Sequence, residues 1–152
     1  MNIKIIISLT ALFLFGTLAV SAQKIDTGLT YVDPIMEADA LHNLDVARQA
    51  FGPGKKAYKQ VLGRFEETFA VYPDFSKMDE FLYIAAMSSL YLSENKGKQK
   101  VDLKDEKEKE KYAPEKLRTE ARAYFNLLVD KYSGSEYSGK AKDMLKEMDG
   151  SK

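Results

Sequence analysis

Beyond residue 22, apolar residues recur at helical spacing between firm stops and never alternate with period two long enough to make a strand. Tyr58, Val61, Leu62, Phe65 and Phe69 follow one another at intervals of 3, 1, 3 and 4, which places them on one helix face. The stops are Gly52-Pro53-Gly54, Tyr72-Pro73-Asp74 and Ser133-Gly134-Ser135, where proline lacks a donor and glycine or serine favours a turn. Amphipathic helices cut by short turns must fold back on one another to bury their apolar faces. The pattern therefore predicts an all-α fold of antiparallel helical hairpins.

Five helices are expected. Asp33-Pro34 opens the first, because Asp accepts from free backbone N–H groups and Pro at the first helical position has none to waste. Ile35, Ala38, Leu41, Leu44 or Asp45, and Ala47 or Arg48 track its period, and Phe51 extends the apolar side. The second helix is expected from Lys55 to Val71. Ser76, with Asp79 three residues on, reads as the N-cap of a third through Leu92. That third helix is apolar around much of its circumference, the mark of a helix sandwiched between neighbours. Pro114 begins a fourth through Tyr132, with Leu117, Ala121, Tyr124, Phe125, Leu128 and Val129 inward. A fifth runs from Glu136 to Met148, with Ala141, Met144, Leu145 and Met148 inward. The helical domain thus spans 34–148, interrupted by a charged insert at 95–111, where lysines and acids alternate with almost nothing to bury.

The N-terminal 22 residues read as a secretory signal peptide. Lys4 supplies the positive start, Ile5–Val20 the apolar run, and Val20-Ser21-Ala22 the small residues before a cleavage expected ahead of Gln23. An uncleaved membrane anchor is the competing reading, because the run approaches the ~20 residues that span a bilayer. Residues 23–33 form an extended lead-in. Gln23 stands where a bacterial lipoprotein carries cysteine, and the chain has no cysteine at all. An exported domain without disulfides relies on packing alone, which suits the bacterial periplasm.

Superposing the chain on itself at an offset of sixty aligns Phe65 with Phe125, Phe69 with Val129 and Tyr72 with Tyr132. Past the turn, Phe81 meets Ala141, Ile84 meets Met144 and Ala85 meets Leu145. Each unit is a helix ending in Tyr, a short turn and a second helix packed back on the first. The stretches Phe65–Pro73 and Ala121–Tyr137 resemble tetratricopeptide units of the BamD (YfiO-type) outer-membrane assembly lipoproteins. That family carries an Ala-Arg-x-x-Phe helix, a Tyr-Pro-x-Ser turn and a following helix with Ala and Leu inward. The resemblance covers about Ala57 to Met148. It implies a short tetratricopeptide-like solenoid serving as a periplasmic scaffold that docks proteins during outer-membrane protein assembly. The chain departs from the family in lacking the lipidated cysteine and in holding about two units and a lone first helix where the family has five.

Chemistry is sparse. Lys+Arg and Asp+Glu both number 23, so the basic excess that nucleic-acid binding needs is missing. Without cysteine there are no thiol nucleophiles and no thiolate zinc sites. The lone histidine, His42, has no Gly-x-Ser-x-Gly serine to serve and sits among carboxylates as a solvated side chain. Gly52-Pro53-Gly54 follows no strand and is a helix stop rather than a phosphate loop. The expectation is a protein without catalytic, cofactor-binding or metal-binding residues, acting on protein partners of the envelope. Membrane contact would run only through those partners or an uncleaved signal segment. In stacked hairpins the first helix of each lines a concave groove, where Lys59, Glu66, Arg122 and Asn126 lie off the apolar stripe as candidate partner-binding residues. The alternative is a structural subunit of an envelope complex that uses a flat apolar face without peptide selectivity.

Overall fold

The computed structural model describes residues 33–102 and 104–150, so the signal segment and all but the last residue of the lead-in lie outside the described residues. Six helices are present among them, one more than expected because Asp105 caps a short helix within the charged insert: α1 (Pro34–Phe51), α2 (Tyr58–Val71), α3 (Met78–Ser93), α4 (Glu106–Lys111), α5 (Pro114–Lys131) and α6 (Glu136–Gly150). The described residues contain no strand. Most ends obey local chemistry. Asp33 Oδ1 accepts from the backbone N–H of Ile35 at 2.9 Å and of Met36 at 3.3 Å, with Pro34 in the first turn. The α3 end closes on Asn95 in the left-handed region (φ 58°), with Asn95 N–H on Leu92 O and Lys96 N–H on Tyr91 O.

Three expectations are corrected. The second helix begins at Tyr58 rather than Lys55, because Lys55 and Lys56 both donate back to Gly52 O and Lys56 adopts φ 47°. Ser76 does not cap α3: its hydroxyl and N–H both turn to the Glu37 carboxylate of α1, and the N-cap position falls to Lys77, which makes no side-chain capping hydrogen bond. The inward face of α1 is also rotated in its first half, although Leu44 and Ala47 of the expected stripe do face inward. Ala40, Leu44, Ala47 and Ala50 are buried, whereas Ile35 and Leu41 are exposed. Alanines let α1 approach its neighbours closely, and two polar ties hold that rotation. Arg48 clamps Glu80 of α3 with two hydrogen bonds of 2.6 and 2.5 Å, and Asn43 Nδ2 donates to Thr68 Oγ1 of α2 at 3.1 Å.

The core is centred on α3, which packs against α1, α2, α5 and α6. Its Phe81, Leu82, Ala85 and Ala86 are fully buried, as are Ser88 and Ser89, whose small side chains admit neighbouring helices. Phe65 of α2 and Phe125 of α5 are both fully buried. Each such side chain contributes about 1.5–3 kcal/mol by leaving water. Among the described residues no helix is long and apolar enough to cross a membrane.

The sixty-residue offset is written in the backbone. In the first hairpin turn, Tyr72 N–H donates to Thr68 O, Phe75 N–H to Tyr72 O and Met78 N–H to Phe75 O. The second turn repeats the ladder: Tyr132 to Leu128, Ser135 to Tyr132 and Ser138 to Ser135. Each turn is also tied to a helix outside its own hairpin. A turn serine donates to a carboxylate in that helix's first turn, Ser76 to Glu37 of α1 and Ser135 to Asp79 of α3, the latter at 2.6 Å. The hairpins α2–α3 and α5–α6 thus share one turn geometry, and α1 packs against α2 and α3.

Candidate protein-interaction face

Burial of Tyr58, Val61, Leu62, Phe65 and Thr68 leaves Lys59 and Glu66, two turns apart, on one flank of α2. That flank faces α5 through Tyr124, whose ring meets Phe65 edge-on at 4.9 Å. Glu120, one turn earlier on α5, is half-buried on the same side. Burial raises the Glu120 carboxyl above its ordinary range, with the Glu66 charge adding to the rise while Lys116 and Lys111 oppose it. Tyr124 is pushed up to about 12, first by burial and then by the Glu120 and Glu66 charges.

The charged insert lies over this flank. Lys59 Nζ donates to Glu108 Oε2 at 2.7 Å, and Lys111 Nζ donates to Glu66 Oε2 at 2.7 Å. Both ammonium groups also lie against the Tyr112 ring, at 5.4 and 5.6 Å from its centre. The Glu108 carboxyl is held below its ordinary range by the Lys59 hydrogen bond, helped by Asp102 N–H at 2.8 Å. At its start the insert is pinned by Lys98, whose N–H reaches Lys56 O at 3.0 Å and whose ammonium reaches Gly54 O at 2.7 Å. Gly97 is buried beneath, where a Cβ would stand 3.0 Å from the Tyr58 ring.

The four sequence-derived residues are therefore not one site. Lys59 and Glu66 share the α2 flank and are both engaged by the insert. Arg122 donates to Asp149 of α6 at 2.6 Å, on the α5–α6 side. There it rims a cleft of about 360 Å³ floored by Leu90, Met144 and Met148. Asn126, one turn on, is exposed. Periodicity had assigned Tyr124 to the core and did not single out Glu120; only their position opposite Glu66 brings them to the face. A second cleft, about 440 Å³, lies between Phe51, Tyr58 and Tyr91, with Lys56 and Lys96 at its edge. His42 is exposed, and among the described residues no group of three or more His, Asp or Glu side chains is arranged to hold a metal ion.

No protein-family model, no curated protein and no solved structure matches this chain.

Proposed function

We propose that this chain is a non-enzymatic protein-interaction scaffold of the Gram-negative periplasm, built as a short tetratricopeptide-like stack and acting in outer-membrane protein assembly. The observation that carries the reading is the repeated turn: the same backbone hydrogen-bond ladder recurs sixty residues apart, and each turn also carries a serine–carboxylate tie, from Ser76 and from Ser135. Hairpins stacked in series through repeated contacts build extended surfaces rather than enclosed reaction sites, and such surfaces hold other proteins. The BamD-like stretches and the signal-peptide pattern supply the compartment and the assembly role. On this reading the native chain begins at Gln23, which mass spectrometry of the purified protein tests.

The functional test is affinity purification from cross-linked cell envelopes, comparing the parent with Arg122→Ala/Asn126→Ala. The parent captures a defined set of envelope proteins, and the double variant loses members of it while keeping its helical circular dichroism. Arg122 gives up only a surface ion pair, worth about 1 kcal/mol or less, so folding is retained. An identical set from both proteins overturns the role of these residues. It would favour the structural-subunit reading, for which the exposed Ile35 (75 %) and Val71 (66 %) offer apolar contact. No captured protein at all would overturn the scaffold.

A further inference from the structure

Within the insert, helix α4, which lies over Lys59 and Glu66, is held to the rest of the protein mainly by charge. Helix α4 has six residues, none of them buried, and a helix that short does not persist by itself in water. Asp105 caps it, accepting from Lys107 N–H at 2.9 Å and Glu108 N–H at 3.4 Å. Its grip on the rest of the protein is the pair Glu108–Lys59 and the pair Lys111–Glu66. The apolar anchors of the segment, Val101 and Tyr112, lie outside α4 on either side. Between Lys59 and Glu66 on α2, a Cβ at Gly63 would meet nothing within 4 Å, so there is open space at that step. A permanent structural element would be fastened by buried apolar side chains. This one bridges a face by two ion pairs, the exposed Lys111–Glu66, which salt screens, and the partly buried Lys59–Glu108, which salt weakens less.

We propose that residues 104–112 are a built-in occupant of the α2–α5 face, standing where a segment of a partner protein docks. The partner segment carries the same chemistry as the strap: an acidic side chain for Lys59 and, one helical turn later, a basic side chain for Glu66. Docking exchanges two internal ion pairs for two equivalent external ones, so the charge pattern selects the partner while the strap sets the threshold for entry. The half-buried Glu120 and Tyr124 of α5, close to Glu66, extend the polar reading surface along α5. The partner half of this inference rests on the scaffold reading; the strap itself does not.

The test uses the full chain and the variant Glu108→Gln/Lys111→Gln, with hydrogen exchange read amide by amide. In the parent, added 0.5 M sodium chloride speeds exchange across 105–112 by about fivefold or more, the scale set by weak ion pairs. In the variant these amides exchange that fast at low salt, while those of α3 and α5 keep the parental rates. A synthetic peptide of residues 104–113, titrated at millimolar concentration and low salt with chemical shifts as the readout, binds the variant but not the parent. Adding Lys59→Ala to the variant abolishes that binding. Equal protection of 105–112 in parent and variant, or a peptide response that does not distinguish them, overturns the strap. A strap that opens as described, in a chain that captures no envelope protein, leaves the strap standing and removes the scaffold reading instead.

Discussion

Truncating Phe65 is the sharpest probe of the packing. The side chain is 1 % exposed and its ring has three aromatic neighbours: Tyr124 at 4.9 Å, Phe69 at 5.2 Å and Phe81 at 5.4 Å. These neighbours belong to α2, α3 and α5, so the ring joins the two hairpins. Phe65→Ala removes a buried side chain and leaves a cavity whose walls are helices fixed by other contacts, a loss of about 3–5 kcal/mol. A domain of ordinary stability holds only about 5–15 kcal/mol in total, so this is a large share. At roughly 3–4 °C per kcal/mol for a domain of this size, the midpoint should fall by roughly 10–20 °C in a thermal melt followed by circular dichroism. Phe65→Leu retains most of the volume and loses the edge-on ring contacts, so it should cost about 1–2 kcal/mol and report even if the alanine variant does not fold. Phe125→Ala should cost slightly less than Phe65→Ala. Phe125 is as buried, but its ring contact, with Tyr83, is longer at 6.2 Å. A Phe65→Ala midpoint within about 3 °C of the parent would refute the assignment of this ring to the centre of the core.

Three further outcomes are expected. Gly97→Ala should destabilise by about 1–3 kcal/mol in chemical denaturation, because its Cβ would press at 3.0 Å on the buried Tyr58 ring and at 3.3 Å on Lys56 O. Ser89→Ala should be neutral or stabilise by up to about 1 kcal/mol in the same assay, since its hydroxyl is fully buried without a protein partner and alanine favours helix. Tyr124 has a folded-state value near 12 against an ordinary 10, so the neutral phenol is the form the fold favours. Its contribution is therefore complete below pH 10 and is lost as pH rises toward 12, and Tyr124→Phe should flatten the fall in melting temperature between pH 9.5 and 11.5.

The helix ends were legible because their causes are local. Asp33 with Pro34, the Gly52-Pro53-Gly54 stop, Tyr72-Pro73 and Pro114 each act on backbone groups within a few residues, so short stretches of sequence suffice to place them. The equivalence of Phe65 with Phe125 was legible for a related reason: a repeat carries its own internal comparison. The rotation of α1 was not. Ile35, Ala38 and Leu41 make as regular a stripe as Ala40, Leu44 and Ala47, and periodicity cannot rank two stripes on one helix. Close approach by alanines and the Arg48–Glu80 clamp, between residues 32 apart, choose the second. Ser76 shows the same limit, since a serine before a helix is a cap only if no carboxylate from another helix reaches it first. The face was least legible of all. Lys59 and Glu66 could be named from their places off the α2 stripe, but the acid that meets Lys59 lies 49 residues away among several equivalent acids. Local chemistry determined where most helices stop and where the pattern repeats. Tertiary packing alone decided which of many identical charges meet, because Coulomb attraction carries no address until the backbone brings two groups within reach.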